Sequence, residues 1–125
     1  MSENQKYTIF MEPNFGFLKL IDTQKLIDDC TEKWFNQTLC EVNDCIIRLG
    51  VFNEGEFHWH KHDHEDEFFL VIKGELFIEF HEESLLLKQH QAITIPKGTL
   101  HRTFVKQPTA VIMVEGKSVI PTGDK

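Results

Sequence analysis

The chain has 125 residues, 41% of them hydrophobic and 26% charged, with a formal net charge of −7. That length suits one domain with a single modest core, and that charge argues against nucleic acid and anionic membranes as partners without excluding a small anionic ligand. No apolar run approaches the roughly 18 residues that span a bilayer, and Met1 to Lys6 lack the basic-then-apolar layout of a signal peptide, so a cytoplasmic protein is expected.

The first forty residues read as an arm. Asp22 is placed to cap a short helix from Thr23 to about Cys30, with Leu26 and Ile27 turned inward. Residues 34–42 read as a strand that turns at Asn43-Asp44 into a second strand, 45–52. Cys30, Cys40 and Cys45 form no CxxC pair and are odd in number, which reads as reduced thiols. A Cys40–Cys45 bridge across that turn is the alternative.

From Cys45 onward, short strands follow at close spacing. Residues 53–56 read as a turn, 57–62 alternate, and 63–66 form an acidic turn. Residues 67–73 make a strand ended by Gly74, where a positive φ is cheap, and 75–80 are expected to pair back across it. Strands at 85–87, 92–95, 102–105 and 110–115 complete an all-β sandwich or barrel. The tail, 117–125, is expected to run over the surface. Phenylalanine, at 11 residues, adds to the strand bias. The run Phe68 to Ile72 is apolar on both faces. One face fills the barrel, and the other needs a second sheet, the arm or another subunit, hence an expected homodimer.

The densest chemical signal is Gly55-Glu-Phe-His58-Trp-His60-Lys-His62-Asp-His64-Glu-Asp-Glu67. On a strand, residues i and i+2 share a face, so His60 and His62 project together. Glu67 lies beyond the turn on the next strand, where its carboxylate meets the two imidazoles from the side. A second segment, Ile95-Pro96-Lys97-Gly98-Thr99-Leu100-His101, makes a rigid turn that opens a strand at His101, the fourth candidate ligand. Three imidazoles and a carboxylate suit one divalent transition metal, whether Fe, Mn, Ni, Zn or Cu, with a coordination position left for water or substrate.

At these two segments the sequence resembles the cupin superfamily. Its first motif appears as Gly55, four residues, His60-x-His62, four residues, Glu67, six residues, Gly74; its second as Pro96-x-Gly98-x-x-His101. The first spacing is one residue short, Val105 stands where the family often has Asn, a non-ligand, and His90 or Gln91 replaces a Gly common before the second motif. The resemblance implies a single cupin domain over residues 1–125: arm 1–40, jelly-roll barrel (double-stranded β-helix) about 41–116, tail 117–125. In detail the chain is similar to small bacterial stand-alone cupins with a short N-terminal arm, so the resemblance gives fold and metal rather than substrate.

The resemblance also implies a metalloenzyme acting on a small organic or sugar-derived molecule, of isomerase, lyase or cyclase, or dioxygenase type. A non-catalytic module that binds a small ligand or metal is the alternative. His58 shares the parity of His60 and His62 and is the candidate general base, against a reading as a rim histidine. Phe69 and Thr103 follow the ligands on the same faces, as do Val71 and Val105; they fill the barrel or line its pocket. Trp59 faces away, toward core or interface. His64, His81 and His90 read as surface residues, and Asp63, Glu65 and Asp66 as a solvated turn.

Overall fold

A computed structural model describes residues 7–124, so the expectation for Met1 to Lys6 lies outside the described residues. The described residues make one short helix and ten strands, distributed over two sheets. The strands are β1 (Thr8–Phe10), β2 (Trp34–Val42), β3 (Cys45–Phe52), β4 (Gly55–Glu56), β5 (Glu67–Lys73), β6 (Glu75–Glu79), β7 (Ser84–Lys88), β8 (Ala92–Ile95), β9 (Arg102–Val105) and β10 (Thr109–Gly116); the helix, α1, is Thr23–Asp29. One sheet has the order β1-β2-β3-β10-β5-β8 and the other β4-β9-β6-β7, a jelly-roll pair. Aromatic and branched residues of both inner faces interlock between them, among them Trp34, Phe57, Phe69, Val71, Leu76 and Ile78.

The apolar outer face of the larger sheet is covered by the arm. Leu39, Leu49 and Val51 are buried there beneath Phe15, Ile21, Leu26 and Ile27, with Ile72 and Ile112 from β5 and β10 beside them. The helix holds this position through its apolar pair and its cap: the Asp22 carboxylate accepts the Lys25 N–H at 3.2 Å. The arm also supplies β1, a parallel edge partner to β2 that the sequence pattern did not announce.

Three expectations are corrected. Residues 75–79 do not pair back on 67–73. Gly74 instead turns the chain from one sheet into the other, and β6 pairs with β7 and β9. Its φ of 82° suits glycine, and a Cβ there would lie 2.5 Å from the Pro108 carbonyl oxygen. Residues 57–62 are not a regular strand. Glu56 faces Phe104 and His60 faces His101, so four steps on one side match three on the other. One extra residue is therefore inserted around His58-Trp59, a β-bulge. The tail folds back instead of running over the surface: Val119 is buried, and the Asp124 N–H donates to the Lys61 carbonyl at 2.9 Å.

The cysteines are free. Cys40 sits opposite Ile47 and Cys45 opposite Val42, so the two do not face each other across the hairpin. No helix among the described residues is long and apolar enough to cross a membrane.

Candidate metal centre

His60, His62, Glu67 and His101 come together inside the barrel. All four are buried, and one ligand atom from each lies within 4.8 Å of the others. Each position follows from local structure. The bulge restores the inward direction at His60 after Trp59 has turned out, and His62 follows two residues later. Glu67 opens β5 next to Ile95 of β8. The Pro96-Gly98 turn leads to His101, which exchanges both backbone hydrogen bonds with His60 at 2.9 Å.

The imidazoles are oriented by the backbone. Nδ1 of His60 lies 2.9 Å from the His58 carbonyl, and Nδ1 of His101 lies 2.8 Å from the Thr99 carbonyl. A carbonyl only accepts, so both Nδ1 atoms carry a proton, which in the neutral ring leaves the lone pair on Nε2. The same i to i−2 device thus sets both tautomers, as a metal-ligating histidine requires.

Electrostatics act in the same direction. Burial, then the neighbouring His101, lowers the His60 pKa from 6.5 to about 4, so this ring is neutral near pH 7. Burial disfavours the charged form of Glu67, yet His101 and His62 outweigh it and hold the carboxyl near 2. Burial also opposes a charged His62, but the adjacent Glu67 prevails and raises its pKa.

Glu67 Oε1 is 3.1 Å from His62 Nε2 and 2.9 Å from His101 Nε2. Despite that closeness, all three atoms are without a hydrogen-bond partner. Each buried orphan of this kind costs about 1–3 kcal/mol. A cluster of nitrogen and carboxylate donors with lone pairs facing inward fits a divalent transition metal, which would satisfy them together.

A cavity of about 30 Å³ adjoins the cluster; His60, Glu67, Phe69 and Thr103 line it. Its remaining wall holds residues that strand-by-strand reading passed over. Arg48 and Glu115 are 1% and 3% exposed. A lone charge within the apolar runs Cys45–Phe52 and Thr109–Gly116 was the available signal. Burial, then the charge of Glu67, pushes the Glu115 carboxyl up to about 7. Pro121 of the tail lines the cavity as well. Gly123 permits this fold-back: its φ is 96°, and a Cβ would lie 2.5 Å from that of His60.

His58 is not drawn into the cavity. The bulge breaks the parity it was expected to share, leaving it half-buried in an outer groove with Tyr7 and Trp59. Its ring stacks on Phe57 at 4.6 Å, and its Nε2 donates to the Thr122 carbonyl at 2.6 Å. Trp59 faces away from the ligands, 44% exposed, with the Arg102 guanidinium over its ring. Val71 and Val105 are core, while His64, His81 and His90 are exposed. Within the acidic turn Glu65 departs from expectation: it is buried and accepts a hydrogen bond from Ser118 of the folded-back tail.

Comparison with known proteins bears on this arrangement. The profile of the cupin domain family matches residues 51–116. Protein YdbB of Bacillus subtilis (strain 168), described as uncharacterized, is 41% identical over 100 residues, 79% of this chain and 88% of that one. A crystal structure of a cupin-2 domain containing protein from Shewanella frigidimarina NCIMB 400 superposes with a TM-score of 0.73 at 30% identity, covering 78% of this chain and 94% of that one. KdgF from Halomonas sp. shares the fold at a TM-score of 0.64 and 19% identity, over 73% of this chain and 86% of its own.

Proposed function

We propose that this chain, which belongs to the cupin domain family, holds one divalent transition metal on His60, His62, Glu67 and His101 and acts on a small organic or sugar-derived molecule. The observation that carries this reading is the convergence of four buried ligand atoms within 4.8 Å. Two of the imidazoles are already set in the ligating tautomer. An ion held there supplies Lewis acidity toward a carbonyl or hydroxyl oxygen, as isomerase, lyase or dioxygenase chemistry requires.

The protein's own residues bind and exclude water. Phe69 and Thr103 line the cavity beside the ligands, one apolar and one able to hydrogen-bond, and are assigned to the substrate. His58 contributes its carbonyl, which fixes the His60 ring. The tail shields the centre from solvent. The small cavity also suits a non-catalytic module that binds a metal or a small ligand.

A cytoplasmic setting is supported by three free thiols. A homodimer is supported by the apolar loop Phe17, Leu18 and Leu20, at 90%, 104% and 89% exposure. A native mass of a single chain at micromolar concentration would remove the dimer.

The test is to purify the protein without chelator, measure its metal content, and follow O2 uptake of the Fe(II)-loaded form with a thiol, a diketone and a sugar panel. Near-stoichiometric metal with turnover of any member supports an enzyme. Metal without turnover favours the binding module, and a preparation that takes up no divalent metal sinks the proposal.

A further inference from the structure

The cavity beside the metal ligands carries a cation whose placement the metal alone does not explain. Arg48 projects from β3 into the barrel, 1% exposed, and lines the same cavity as His60 and Glu67. Its Nε donates to Thr38 Oγ1 at 3.1 Å, and its Nη2 donates to Asn36 Oδ1 and, at 3.5 Å, to the Phe10 carbonyl. Every one of these acceptors is neutral. Among the described residues no carboxylate lies within ion-pair distance of Arg48; the anions that act on it, Glu115 and then Glu67, do so from across the cavity they share. A buried guanidinium is costly unless an anion meets it directly, and here both carboxylates stand beyond direct contact.

A second polar group faces the same space. Glu115 stands beside Glu67 in the sheet register and lines the cavity, with Oε2 buried and unpartnered. Arg48 and Glu115 do not meet. Both line the cavity, a guanidinium on one side and an unpartnered carboxylate oxygen on the other. With a dication on the four ligands, the cavity would be net positive even with both carboxyls ionised. A volume of about 30 Å³ admits about two waters or one carboxylate-sized head group.

We propose that Arg48 and Glu115 complete the ligand pocket of the metal centre, and that they select a small organic anion carrying a carboxylate next to a hydroxyl. The carboxylate accepts from Arg48 Nη1, a planar fork suited to it. The hydroxyl donates to Glu115, and the rest of the molecule extends past Pro121. This inference rests on the metal reading, which it deepens by naming the substrate class.

The experiment uses the full chain loaded with Zn(II), with metal stoichiometry measured first in the wild type, Arg48→Lys, Arg48→Met and Glu115→Gln. Glycolate and its neutral counterpart ethylene glycol are then titrated calorimetrically into each. The expected result is unchanged metal content, saturable glycolate binding to the wild type, and no binding of ethylene glycol. Arg48→Met should weaken glycolate by about 10- to 100-fold, with smaller losses in Arg48→Lys and Glu115→Gln. Should Arg48→Met not fold, the 15N-labelled wild type decides: glycolate must shift the Arg48 Nε–H resonance. Metal binding without glycolate binding, glycolate binding undiminished in the Arg48 variants, or an unmoved Arg48 resonance overturns this inference alone. A wild type that takes up no Zn(II) overturns it together with the metal reading.

Discussion

Two groups of buried polar side chains share the interior of this barrel, and they are satisfied in opposite ways. Around Arg48, three donor contacts find protein acceptors on Thr38, Asn36 and Phe10. Around Glu67, the facing atoms of His62, His101 and Glu67 stand close with no hydrogen bond between them. The first group ties β2, β3 and the arm together through neutral acceptors. The second costs stability as it stands and returns it only with a ligand. Buried polarity in one core thus has two meanings, and hydrogen-bond geometry, not burial, tells them apart.

The sharpest way to break this comparison is to remove each group in turn. Arg48→Ala strands the side chains of Thr38 and Asn36 and opens a void, so it should cost about 3 kcal/mol in chemical denaturation with or without metal. His60→Ala or His101→Ala should behave differently. The metal-free protein should lose much less, while Zn(II) affinity should fall by more than about 100-fold, removing roughly 2.7 kcal/mol of ligand-linked stability. Equal losses in both groups, independent of metal, would erase the distinction.

Glu115 sharpens the comparison from the side of charge. Burial raises its pKa from 4.5 to about 7, so the folded metal-free protein holds this proton more tightly than the unfolded chain. Its contribution is present at low pH and lost as pH rises through that window. Glu115→Gln should therefore be more stable than the wild type at pH 8, by up to about 3 kcal/mol, and show little gain at pH 4. Metal binding has the opposite dependence. His62 titrates above 6.5 in the metal-free protein, and its proton must leave before it ligates. Zn(II) affinity measured calorimetrically should weaken by about tenfold per pH unit below the His62 pKa, and more steeply once His60 protonates near pH 4. An affinity flat from pH 8 to 5 would exclude His62 as a ligand.

The ligand set was legible because it depends on short-range rules. Alternation places His60 beside His62, and the Pro96-Gly98 turn delivers His101. Strands 34–42, 45–52, 92–95 and 102–105 were legible with their bounds, as was the Asp22 cap, since each is flagged by local patterning. What escaped is non-local. The single inserted residue near Trp59 leaves alternation looking intact on either side, so His58 read as inward. A glycine bend such as Gly74 looks alike whether the chain returns to its own sheet or crosses to the other. Arg48 and Glu115 are lone charges in apolar strands, and their meaning depends on what lies across the barrel. The tail's fold-back rests on contacts of Thr122, Gly123 and Asp124 with residues some sixty positions earlier in the chain.

The most direct measurement is a crystal structure of the full chain soaked with Zn(II), with anomalous data at the zinc edge. One strong peak is expected inside the barrel, about 2.0–2.2 Å from His60, His62, Glu67 and His101. A peak elsewhere, or none at that position with Zn(II) in excess, would contradict it.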